Sequence, residues 1–115
     1  MQRAQRLRQS REFAQVYQRG RAYRGGLLVL RTLPTGATSR FGFTAGVAVG
    51  SAVVRNRLKR RLREITRSLP VSNGWDVVLN ARRGAGEADY WRLHGQVREL
   101  MERGGLLERP AKEAN

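Results

Sequence analysis

The chain contains no cysteine. That removes disulfides, iron–sulfur clusters and thiolate zinc sites, and it fits a reducing, cytoplasmic setting. Histidine occurs once, at His94, so neither a histidine-rich metal site nor a Ser-His-Asp triad is expected. No apolar run approaches the ~20 residues of a membrane span. The arginines of residues 1–11 have no apolar segment behind them, so they do not read as a secretory signal. Lysine is scarce, 2 against 21 arginines. Acids are nearly missing from the first seventy positions, where Glu12 and Glu64 face sixteen basic residues.

What is present follows from that last shortage. Residues 1–70 carry +14, while residues 71–115 balance seven basic residues against seven acids. The charge peaks in Arg55-Asn56-Arg57-Leu58-Lys59-Arg60-Arg61-Leu62-Arg63, where six of nine residues are cationic. A field so lopsided implies a polyanionic partner, because neutralised phosphates release condensed counterions and drive binding. Nucleic acid is the polyanion that fits. Arginine binds phosphate through two parallel donors and stacks on bases, which suits RNA. A GC-rich genome would also raise arginine over lysine, but it would not place the charges.

Periodicity gives a single domain over residues 10–107, with a basic flexible arm at 1–9 and a frayed tail at 108–115. Ser10 as N-cap and Gly20 as stop predict a short helix over 11–19, with Phe13, Val16 and Tyr17 on one face. Residues 27–33 read as a strand closed by Pro34-Thr35-Gly36, and residues 40–49 as a second extended stretch weakened by Gly42 and Gly46. Gly50-Ser51 opens the strongest helix. Val54, Leu58, Leu62, Ile65 and Leu69 form its apolar stripe, Arg60, Arg63 and Arg67 point the opposite way, Arg55 and Arg61 flank the stripe, and Pro70 ends it. Asn73-Gly74 predicts a turn before an apolar central strand over 75–81. Residues 87–103 read as a last helix with acids at its start, stopped by Gly104-Gly105.

A charged helix face is ordinarily just solvated, but such faces mix signs. Here Glu64 is the only acid among the cations, and its place beside Arg63 predicts a local charge partner. Nuclease chemistry needs carboxylates that hold metal ions or a histidine base. The cationic half offers neither, so the chain reads as non-catalytic.

The run Gly50-Ser51-Ala52-Val53-Val54-Arg55-Asn56-Arg57-Leu58-Lys59-Arg60 resembles the signature of the bacterial ribonuclease P protein subunit. That family has Gly-x-Ala-Val-x-Arg-Asn-Arg-x-Lys-Arg followed by an arginine. Arg6-Leu7-Arg8, Phe13, Val16-Tyr17 and Gly20 are similar to its N-terminal part, and Asp76-Val77-Val78-Leu79 with Ala81-Arg82 to its apolar strand ending in Ala-Arg.

The resemblance implies an α+β fold, a single-domain sandwich in the order α-β-β-β-α-β-α, with a four-stranded sheet and a left-handed β-α-β crossover. It implies binding to the ribonuclease P catalytic RNA, with the two together removing the 5′ leader from precursor tRNA. The Mg²⁺ ions belong to the RNA and the RNA–protein complex, and the RNA performs the hydrolysis. By the same resemblance Arg55, Asn56, Arg57, Lys59, Arg60, Arg61 and Arg63 face the catalytic RNA, and Phe13 and Tyr17 belong to a cleft that receives the leader. Plain core packing is the alternative for these two aromatics. Arg31 stands where the family often has a cleft aromatic, and Gly46-Val47-Ala48 where it has Ser-Lys-Lys. A basic ribosomal or other structural RNA-binding protein is the competing reading, against which the Arg-Asn-Arg helix speaks. A DNA-binding regulator would pair two helices across a short turn, whereas here strands flank the basic helix.

Overall fold

Alternation along the strands divides the apolar residues between the two faces of one sheet. The computed structural model describes residues 5–108. Its strands are β1 (Gln5–Arg6), β2 (Arg21–Arg24), β3 (Leu28–Pro34), β4 (Arg40–Ala45) and β5 (Trp75–Ala81), and its helices α1 (Ser10–Arg19), α2 (Ala52–Ser68) and α3 (Tyr90–Gly104). Strand order is β1-β4-β5-β3-β2. β3 runs antiparallel to β2 and β5, whereas β4 runs parallel to β1 and β5. With the two-residue β1 set aside, this is the expected four-stranded α+β order.

One face carries the main core. Leu28 and Leu30 of β3, Phe41 of β4 and Val77 and Leu79 of β5 meet Leu58, Leu62 and Ile65 of α2 and Leu93, Val97, Leu100 and Met101 of α3. Each such side chain stabilises by about 1.5–3 kcal/mol relative to exposure. The predicted α2 stripe is therefore the seam that holds the basic helix on the sheet. On the other face Val78 packs with Leu7 and Val16, beneath Phe13 and Leu33. That smaller cluster seats α1.

Several boundaries differ from the sequence reading. Ser10 is the first helical residue of α1, not its cap, because Gln9 and Glu12 form a capping box. The Glu12 carboxylate accepts from the Arg8 and Gln9 N–H groups at 2.8 and 3.0 Å. β2 was not legible as a strand. Its exposed arginines give no apolar alternation, and it forms by pairing with β3. α3 begins at Tyr90, capped by Asp89, whose side chain accepts from the Arg92 N–H at 2.8 Å. Glu87 falls instead in a 3₁₀ turn, Ala85–Glu87.

The arm expected over 1–9 is not loose throughout. Gln5 and Arg6 pair with Arg40 and Phe41, and Leu7 is buried. The backbone pairing gives Leu7 a place in the small core that composition alone did not suggest. Residues 1–4 lie outside the described residues. Of the tail expected over 108–115, Glu108 donates its N–H to the Pro70 carbonyl at 2.8 Å, and the rest lies outside them.

Candidate nucleic-acid interface

α2 starts cleanly because Gly50 adopts φ 154°, which side-chained residues rarely do, and Ser51 caps the helix through its hydroxyl, accepting from the Val54 N–H. Burial of Leu58, Leu62, Ile65 and Leu69 then fixes where its cations go. Asn56, Arg57, Arg60 and Arg67 are exposed, and Arg55, Lys59, Arg61 and Arg63 are half-buried. Among the described residues the ion pairs are Arg40–Glu12, Arg40–Asp76 and Arg98–Glu102, so no α2 cation has a carboxylate partner. Glu64, expected as a local charge partner, is exposed and joins none of them.

Arg63 departs from its expected outward direction. It leans over β4, its guanidinium carbon 5.6 Å from the Phe43 ring centroid. Its Nε is buried without a hydrogen-bond partner, as is that of Arg55. Loss of water, and then the nearby cations Arg6 and Arg67, push the Arg63 guanidinium below its ordinary pKa. Cations crowd here, and among the described residues no carboxylate pairs with them.

The second group of predicted residues lies on the opposite face of the sheet, beside α1. Tyr17 is 41% exposed, its ring stacked under the Arg31 guanidinium at 4.7 Å. Arg31 donates from Nε to Asn80 Oδ1 at 3.0 Å. The Asn80 amide nitrogen donates to the Tyr17 hydroxyl and, at 2.6 Å, to Thr44 Oγ1. Asn80 thus ties α1, β3 and β4 together, a role the sequence reading missed. The signal lay in strand alternation, which sends Asn80 away from the main core together with Val78.

Phe13 sits deeper than Tyr17. A Cβ on Gly42 would lie 2.5 and 2.6 Å from its ring atoms Cε1 and Cζ, so the ring packs directly against the glycine. Phe13 is half-buried against the small cluster and also borders an open recess. The two aromatics therefore differ. Tyr17 is the more exposed ring, with Arg31 over it, and Phe13 both anchors α1 and faces space.

Arg40 fixes α1 in place. It donates from Nε and Nη2 to Asp76 at 2.9 and 2.6 Å, and from Nη1 to Glu12 at 2.7 Å. The Arg8 and Gln9 N–H groups, and then Arg40, hold the Glu12 carboxyl down at about 2. The hydrogen bonds to Asp76 raise Arg40 in turn. Gly46-Val47-Ala48 lies at a 3₁₀ turn, Val47–Val49, with Val47 81% exposed. An apolar side chain thus meets solvent where the family resemblance places cations.

Comparison with known proteins fits this architecture. The family model described as ribonuclease P matches residues 1–105. The ribonuclease P protein component of Symbiobacterium thermophilum is 42% identical over 113 residues, covering 95% of this chain and 98% of that protein. That of Dehalococcoides mccartyi is 38% identical over 110 residues, covering 95% and 92%. The solved RNase P protein of Thermotoga maritima superposes with TM-score 0.78 at 29% identity, over 86% of this chain and 96% of that one. The Staphylococcus aureus RNase P protein shares the fold, with TM-score 0.82 at 20% identity over 92% and 100%. Matched from its N-terminal arm to the end of α3, with the basic helix in its signature place, the chain belongs to the family of ribonuclease P protein components.

Proposed function

We propose that this protein is the RNA-binding subunit of the ribonuclease P ribonucleoprotein and that it holds the 5′ leader of precursor tRNA on its α1 side. Family membership carries the first part, and makes the chain a subunit of an endoribonuclease that matures tRNA 5′ ends. It also favours this reading over a ribosomal protein. The observation that supports an RNA-facing α2 is its run of cations without carboxylate partners among the described residues. Each phosphate contact made there releases counterions, so affinity gained this way falls with salt.

The leader assignment rests on the shared sheet face of Phe13, Tyr17 and Arg31. An unpaired base can stack on the exposed Tyr17 ring without regard to its identity, and Arg31 can hold the adjoining phosphate. Such tolerance suits leaders that differ between precursors. Among the described residues no three His, Asp or Glu side chains come together as a metal site, and no hydrolytic step is assigned to the chain. Mg²⁺ held by the catalytic RNA supplies the chemistry of phosphodiester hydrolysis. The protein orients the substrate.

Reconstitution tests the proposal. Protein freed of RNA by exhaustive ribonuclease treatment and repurified should not release the leader in Mg²⁺. Added to ribonuclease P RNA, it should raise affinity for precursor over mature tRNA. Leader release at the normal site by the treated protein alone would overturn the non-catalytic role.

A further inference from the structure

β1 covers only the first part of the β4 edge. Its pairing reaches Phe41, with a last bond from the Leu7 N–H to the Phe41 carbonyl at 3.0 Å. The chain then turns away into α1. Beyond that point, among the described residues, Phe43 and the rest of β4 have β5 on one side and no strand on the other. A recess of about 320 Å³ opens at this edge. Arg6 of β1, Phe13 of α1 and Phe43 of β4 line it, together with Asn56, Lys59 and Arg63 of α2.

The lining is chemically one-sided. Three cations converge, and among the described residues no carboxylate lines the recess. The nearest acid on α1, Glu12, is already engaged by Arg40. Arg63 lies over the Phe43 ring, with its Nε buried and unpartnered. Leu7, Phe13, Phe41 and Phe43 give the recess an apolar wall, and the Asn56 amide offers both a donor and an acceptor. Its size is at the small end of ligand sites, ~300–1,000 Å³, so it fits one nucleotide. A duplex keeps its bases stacked inside and could not place one there.

We propose that this recess binds a single unpaired RNA nucleotide, its phosphate on Arg6, Lys59 and Arg63 and its base against Phe13 and Phe43, with Asn56 at the base edge. The proposal rests on the RNA-binding reading above and deepens it. α2 and α1 face opposite sides of the sheet, and the recess is where residues of both meet. A nucleotide seated there bridges them. It comes either from the leader or from the catalytic RNA, and the two sources share this chemistry.

Two measurements test it. The free protein is titrated with adenosine 5′-monophosphate and, separately, with inorganic phosphate, following backbone amide shifts. The expected result is saturable shifts at Arg6, Phe43 and Asn56, with the nucleotide binding roughly tenfold or more tighter than phosphate because its base stacks. Phe43→Leu, which keeps an apolar side chain, should remove that preference while the protein still melts cooperatively. Phosphate binding as tightly as the nucleotide, or shifts confined to Tyr17 and Arg31, would overturn the nucleotide site.

Arg6→Gln, at an exposed position, is then assayed in the reconstituted holoenzyme. Selective loss of precursor affinity assigns the nucleotide to the leader. Weaker protein–RNA assembly, equal for both tRNA forms, assigns it to the catalytic RNA. If neither changes while the wild-type protein assembles and promotes cleavage, the recess proposal fails and the ribonuclease P reading stands. A wild-type protein that binds no ribonuclease P RNA would defeat that reading itself.

Discussion

Arg40 and Asp76 stand opposite each other in the parallel register of β4 and β5, joined by two hydrogen bonds of 2.9 and 2.6 Å. Asp76 is almost fully buried, while Arg40 keeps about a third of its side chain exposed and gives its remaining Nη1 to Glu12. The pair therefore fastens the start of α1 to the centre of the sheet. Removing one partner of a buried ion pair costs ~3–5 kcal/mol, because the other is left uncompensated. Arg40→Ala strands the Asp76 carboxylate. Partial exposure of Arg40 puts the expected loss near the lower end, measured by denaturant unfolding. A change within a few tenths of a kcal/mol would mean that the pair does not hold α1.

Glu12 gives the same contact a pH signature. Its carboxyl is lowered from 4.5 to about 2 in the folded protein. A group depressed on folding stabilises the protein above its unfolded pKa, and that contribution is lost as pH falls through the folded value. Wild-type stability should therefore decline from about pH 4.5 toward about pH 2. Glu12→Gln should be less stable than wild type near neutrality, and the gap should close across that window. A gap independent of pH would assign the effect to packing alone.

The basic helix makes a salt prediction. Among the described residues, Arg55, Arg57 and Arg60 have no carboxylate partner. Replacing all three with alanine should weaken binding to ribonuclease P RNA and flatten the plot of log affinity against log salt, by roughly one unit for each phosphate no longer neutralised. Fluorescence binding at several salt concentrations measures both. An unchanged slope would remove these arginines from the interface.

Tyr17 and Phe13 should separate. Tyr17 is 41% exposed, so Tyr17→Ala should lower the melting temperature only slightly, by the loss of its Asn80 and Arg31 contacts. It should weaken precursor binding by about 1–3 kcal/mol if one base stacks there, with little effect on mature tRNA. Phe13 packs on Gly42 and the small core. Phe13→Ala should also lower stability, by less than the ~3–5 kcal/mol of a fully buried phenylalanine. Equal losses for precursor and mature tRNA in Tyr17→Ala would defeat the leader assignment.

Gly42 supplies an independent check. Gly42→Ala places a methyl against the Phe13 ring, which must move or lift α1. Overpacking of this kind costs ~1–3 kcal/mol. A variant as stable as wild type would show that the ring shifts freely.

The sequence by itself determined the strongest periodic elements. The apolar stripe Leu58, Leu62, Ile65 and Leu69 fixed α2, and the apolar Val77-Val78-Leu79 between two turn signals fixed β5, because side-chain burial at one period leaves the backbone little choice. It also placed the charge, since an Arg or Lys on a helix whose opposite face is buried can only go outward or to the flank. Signals that depend on a partner were not readable. β2 exists through pairing with β3, β1 through pairing with β4, and the α1 cap through Glu12. Only the tertiary structure brought Asn80 under Tyr17 and Arg31, laid Phe13 on Gly42, and turned Arg63 from the outer face of α2 onto Phe43. These contacts join residues far apart in the chain across strand registers and helix seats, and no local pattern encodes such distances.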